Sequence, residues 1–171
     1  MMPWSKPVND PHYLKDAVTM KNIQSLDEGT NVVYNPRYLK DAVTMNIKSD
    51  SRLNQFQERS HSLVLCMYEL TEPNMFNQLS DERDGIYKLM ECGRFDASVA
   101  FARRHIVQPG VDVSSVMDRA EGVKYVGIAV GYYDLKKRGA IRMLPIKNIR
   151  SGQIIVDLVL GPQEIQDMQV H

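Results

Sequence analysis

From Ala42 onward the chain alternates apolar and polar positions. Val43, Met45 and Ile47 stand against Thr44, Asn46 and Lys48, the period-two pattern of a half-buried strand. Ser49 to Ser60 then has no period, and Leu53 and Phe56 are its only large apolar residues. This predicts a long polar loop. Ser62 to Leu70 places Leu63, Leu65 and Met67 on one face and Val64, Cys66 and Tyr68 on the other, which suits an interior strand. A helical insertion is expected between about Pro73 and Gly93. Pro73 suits a first helical position, Met75, Phe76 and Leu79 share a face, and Ser80 reads as a cap before acidic Asp81 and Glu82. Ile86, Leu89 and Met90 continue the stripe to Gly93, placed for a C-terminal stop.

Strand signals return at Val99 to Val107, which leads into Gln108-Pro109-Gly110, a turn with proline and glycine in type II order. Val111, Val113 and Val116 predict the next strand, before Glu121-Gly122. From Lys124 to Asp134, bulky Val126, Ile128, Val130 and Tyr132 alternate with small Gly127, Ala129 and Gly131, so one face admits a close neighbour. Ile141 to Ile146 and Gln153 to Leu160 supply the last predicted strands. Six or seven short strands and one helical insertion define an all-β sandwich, with antiparallel strands in two packed sheets.

Residues 1 to about 37 read as an arm outside this domain, broken by Pro3, Pro7, Pro11 and Pro36, so the sandwich spans 38–171. The octapeptide Tyr13 to Met20 recurs unchanged at Tyr38 to Met45. A single repeat with dissimilar flanks is not a solenoid.

With 171 residues the chain is long enough for one domain with a real core. Lysine plus arginine and aspartate plus glutamate both number 21, a balance that offers no general attraction to nucleic acid or anionic membranes. No window approaches the roughly 18 apolar residues of a membrane span. The first twenty residues hold no apolar leader core, which read literally predicts a cytosolic start, although mature proteins have lost their leaders. Cys66 and Cys92 match no metal or redox spacing, and two buried free thiols are expected, with pairing in an oxidising compartment as the alternative.

Candidate chemistry is sparse. His12, His61, His105 and His171 have no histidine or cysteine three or four residues away, so no metal site or cofactor is expected. No nucleophile elbow, phosphate loop or dinucleotide turn occurs. Asp81, Glu82 and Asp84 read as helix-dipole partners rather than an acid/base pair. Lys136, Lys137, Arg138, Arg142, Lys147 and Arg150 form a basic run, read as a solvated hairpin or else a face for an acidic partner or lipid headgroups. No catalytic residue is expected, and the chain reads as non-enzymatic.

The order of segments from 42 to about 161 resembles the outer-membrane lipoprotein of the type VI secretion system, the TssJ (SciN) family. The resemblance rests on Leu65-Cys66-Met67-Tyr68-Glu69-Leu70, Met75-Phe76-Asn77-Gln78-Leu79 and Val107-Gln108-Pro109-Gly110. Most specific is Tyr125-Val126-Gly127-Ile128-Ala129-Val130-Gly131-Tyr132-Tyr133-Asp134. Cys66 and Tyr133 stand where that family favours arginine, Ile141 where it favours tryptophan, and no cysteine for a lipid precedes Cys66.

The resemblance implies a transthyretin-like sandwich on the periplasmic side of the outer membrane, anchored there by lipid. It also implies a partner, the periplasmic domain of the inner-membrane protein TssM, held through the first loop. The expected partner-binding residues are Leu53 and Phe56 as apolar anchors, with Arg52, Asn54 and Gln55 as a polar rim. The alternative for both apolar side chains is to fold back onto the sandwich edge. The competing function is a periplasmic ligand- or glycan-binding module, for which Tyr125 and Tyr133 are the candidate aromatic contacts.

Overall fold

A computed structural model describes residues 38–147 and 152–171. The arm, the first copy of the octapeptide and Arg150 fall outside the described residues. The strands are β1 (Tyr38–Ser49), β2 (Leu63–Leu70), β3 (Val99–Val107), β4 (Val113–Ala120), β5 (Tyr125–Val130), β6 (Ile141–Pro145), β7 (Ile154–Leu160) and β8 (Ile165–Val170). Helices α1 (Asn74–Ser80) and α2 (Arg83–Leu89) lie between β2 and β3, and a single turn, α3 (Lys137–Ala140), precedes β6.

The strands form two four-stranded sheets, ordered β4-β1-β7-β8 and β3-β2-β5-β6. The sandwich expectation holds, with one correction to its pairing. β1 and β7 run parallel, in register from Val43 opposite Ile154 to Ser49 opposite Leu160. Parallel neighbours need a long crossover, and here the whole second sheet lies between them in the sequence.

Alternation decides the faces. Val43, Met45 and Ile47 of β1 and Ile154, Val156, Leu158 and Leu160 of β7 are buried against Leu65, Met67, Val126, Ile128 and Val130 of the other sheet. The second copy of the octapeptide is thus the start of a central strand, kinked at Asp41, where φ is +53 and the register with β4 shifts.

The outer face of the second sheet carries Cys66, Tyr68, Gly127 and Ala129, and α1 and α2 cover it. The small residues explain the closeness of that cover. A Cβ on Gly127 would stand 2.7 Å from the Phe76 ring, and one on Gly131 would stand 3.1 Å from Met90 Cε. Burying the Phe76 ring is worth about 1.5–3 kcal/mol. Tyr68 donates its hydroxyl proton to the Leu89 carbonyl at 2.6 Å and meets Phe76 edge-on.

Cys66 and Cys92 form a disulfide, which corrects the expectation of free thiols. Cys66 points outward from β2, and the chain after α2 turns through a left-handed Cys92 (φ +55) that brings the second sulfur above it. That left-handed stop falls on Cys92, not on Gly93. Ser80 does not cap α2 either: it ends α1, donating to the Asn77 carbonyl, while extended Glu82 precedes α2. Pro73 sits at the cap of α1 and not inside it. The Gln108-Pro109-Gly110 turn forms as read, with Gly110 at φ +71 and the Val111 amide donating to the Gln108 carbonyl. β8 and α3 were not expected from the sequence.

Candidate functional site

Four connections meet at one end of the sandwich: residues 50–62, 108–112, 131–140 and 161–164. Backbone bonds tie them together. The Asp50 amide donates to Leu160, the Gly110 amide to Asp50 and the Gln55 amide to Pro162.

The first loop is more ordered than its polar composition suggests. Asp50 begins it with an Asx turn, accepting the Arg52 amide at 2.7 Å, and its carbonyl accepts the Leu53 amide. This turns Leu53 inward, where it is fully buried among the core side chains. Leu53 is therefore a core residue, and its expected role as a free apolar anchor is corrected. Asn54 is corrected as well. It is buried, in a left-handed conformation (φ +52) that asparagine tolerates, and both ends of its side-chain amide are bonded. Its Nδ2 donates to the Ser62 carbonyl, and its Oδ1 accepts the Tyr133 amide at 2.9 Å. Asn54 holds the 131–140 connection against the first loop instead of forming a rim.

Phe56 behaves differently. It opens a two-residue hairpin in which Phe56 and Arg59 exchange both backbone bonds and Gln57 and Glu58 both have positive φ. Such turns favour glycine or asparagine, so these two side chains hold a costly geometry. The hairpin turns the Phe56 ring out: it is 44% exposed and stacks on Tyr133, with centroids 4.5 Å apart and planes 21° apart. Tyr133 is 56% exposed, and His61 meets it edge-on at 5.0 Å. His61 is fixed in turn, since its Nδ1 donates to the Asn54 carbonyl. Arg52 is exposed and pairs loosely with Asp50, and Gln55 is half-buried beside the stack.

Beside the stacked rings lies a cleft of about 290 Å³, lined by Asn54, Gln55, Phe56, Tyr132, Tyr133, Asp134, Pro162 and Gln163. Its floor includes Tyr132, which donates to the Gly161 carbonyl. Burial, then the carboxylates of Glu164 and Asp50, push the Tyr132 phenol above its ordinary range. A second groove, between the α1–α2 turn and residues 133–137, shares Tyr133 and Asp134 with the first. The first loop alone does not make this surface. Tyr133 and Asp134 complete it, and sequence reading placed Tyr133 only on a sheet face because Asn54, its partner, lies far away in the chain.

Three members of the basic run have partners within the chain. Lys136 pairs with Asp134 at 3.2 Å, Lys137 with Asp81, and Arg142 donates to the Arg138 and Ile165 carbonyls. Among the described residues no group of three histidine, cysteine, aspartate or glutamate side chains is placed to hold a metal. No described helix is long and apolar enough to cross a membrane. Glu69, buried, and His105, half-buried, face the other sheet away from the cleft. Glu69 accepts the Ala120 amide at 2.8 Å, and His105 Nε2 lies 3.2 Å from Ser115 Oγ.

Two four-stranded sheets face to face, with a helical cover on one of them, make a transthyretin-like β-sandwich. Residues 41–163 match T6SS-SciN, the family described as type VI secretion lipoproteins (VasD, EvfM, TssJ), and the chain belongs to that family. Solved structures agree on the fold. The T6SS lipoprotein TssJ1 from Pseudomonas aeruginosa aligns with a TM-score of 0.59 at 19% identity, covering 75% of this chain and 95% of that one. Lip of Serratia marcescens, a membrane-bound component of the type VI secretion system, aligns at 0.55 and 13% identity, covering 72% and 94%. A chain of a structure described as the T6SS protein TssM C-terminal domain from EAEC aligns at 0.54 and 15%, covering 73% and 97%. Among curated proteins none matches the chain in sequence.

Proposed function

We propose that this protein is a structural component of the type VI secretion membrane complex. It sits on the periplasmic side of the outer membrane through a lipid anchor and binds the periplasmic domain of the inner-membrane protein TssM with its loop end. The observation that carries the reading is the exposed Phe56–Tyr133 stack, built on a strained hairpin and held by buried Asn54. Large apolar rings are kept in water here at a cost in backbone strain, which suits a rigid contact anchor. The Cys66–Cys92 disulfide supports the compartment, since such bonds persist in oxidising spaces such as the periplasm.

Of the residues expected from the first loop, Phe56 is the anchor, with Gln55 and Arg52 at its edge and Tyr133 added from the other connection. Calorimetric titration with the cognate TssM periplasmic domain tests this. Phe56→Ala removes a contact worth about 1.5–3 kcal/mol, so its affinity falls about ten- to a hundredfold. Its melting temperature stays near wild type, because the ring lies outside the core. Unchanged affinity moves the interface away from the loop end.

A further inference from the structure

Given that docking site, the geometry points to a cationic side chain, an arginine above all, as the group the partner lays into the cleft beside Phe56. Among the described residues, Asp134 is the only charged side chain lining this cleft. The Phe56–Tyr133 stack presents aromatic faces, whose negative quadrupole attracts a planar guanidinium. Tyr132 lies beneath the cleft, its hydroxyl buried and spent on the Gly161 carbonyl. Glu164 and Asp50 add negative potential at that same hydroxyl.

Lys136 now sits on Asp134 at 3.2 Å, with the two side chains 73% and 67% exposed. A pair that exposed holds its partner weakly. A guanidinium that reaches Asp134 in bidentate fashion while stacking on the rings displaces it. Lys136 is thus a placeholder for the partner's charge. A sugar would also find aromatic and amide groups here, but it carries no positive charge to match Asp134.

The test is titration of the full chain with the cognate TssM periplasmic domain at low and high salt, with melting temperatures measured alongside. Asp134→Asn is expected to weaken binding about tenfold, as losing a charge-assisted hydrogen bond does, and to reduce the salt dependence. Lys136→Gln is expected to tighten binding, because it frees Asp134. Unchanged affinity in both variants, with binding lost in Phe56→Ala, overturns the cation while leaving the docking site in place. Unchanged affinity in all three removes the docking site itself. Weaker binding by Lys136→Gln assigns the cleft an anionic occupant and also overturns the inference. So does competition by a soluble peptidoglycan fragment, which assigns the cleft to sugar.

Discussion

Leu53 and Phe56 stand three residues apart in one loop and meet opposite environments, and the difference lies in backbone bonds rather than in the side chains. The Asp50 turn points Leu53 into the core, while the hairpin at Gln57 and Glu58 points Phe56 out. Leu53→Ala is therefore a stability variant: it should lose about 2–5 kcal/mol in denaturant unfolding, as buried leucines do. A normal midpoint for Leu53→Ala would show that the loop can swing away from the core. Side chains between the sheets set a second residue-scale expectation. Burial pushes Glu69 up to about 8 despite the Ala120 amide and the nearby Arg119 and Arg103. Burial, then Arg103, pushes His105 down to about 4. Glu69, raised in the fold, contributes stability that is fully present below its ordinary 4.5 and lost as pH rises through 8. His105, depressed in the fold, contributes stability present above its ordinary 6.5 and lost as pH falls through 4. Denaturant midpoints should therefore be highest between these ordinary values. Glu69→Gln should flatten the alkaline limb and His105→Gln the acid one. An unchanged pH profile in either variant would show that the group does not couple to folding. None of this was legible in the sequence, where Glu69 and His105 read as members of ordinary strands, because their burial comes from the opposite sheet.

Among the elements, strands with strict alternation were legible, and so was the glycine-rich face of β5, whose close neighbour is the ring of Phe76. β8 was missed because its buried residues, Ile165 and Met168, stand three apart with polar residues between them, and its pairing with β7 is irregular near Leu160. α3 was missed because four residues carry no period. Spacing in sequence leaves the disulfide only an alternative to free thiols, since it says nothing of a helix folding back over a sheet. Its consequence is measurable. Closing 26 residues should stabilise the fold by roughly 3.5 kcal/mol through the chain entropy it removes from the unfolded state. Reduction, or the Cys66→Ala, Cys92→Ala pair, should lower the denaturant midpoint accordingly and loosen the α1–α2 cover first, seen as faster amide exchange at Phe76 and Leu89 than at Ile128. Equal midpoints with and without reductant would show that Tyr68 and Phe76 hold the insertion unaided.

At the scale of the molecule, sequence order and segment spacing pointed to the fold and the family, but the cleft at the loop end belongs to no single segment. It is assembled from residues 54–56, 132–134 and 162–163, which only the sandwich brings together. The parallel pairing of β1 with β7 has a further consequence, in time rather than in space. A chain delivered N-terminus first presents residue 43 long before its partner at 154. Until then β2, β3, β5 and β6 can complete their own sheet, while β1 has only β4 beside it. Long-range pairing of this kind is slow to nucleate. The apolar side of β1 thus waits, unpaired on one edge, for the last strands to arrive, and this interval is when the nascent protein is most exposed to misassociation and most in need of a chaperone.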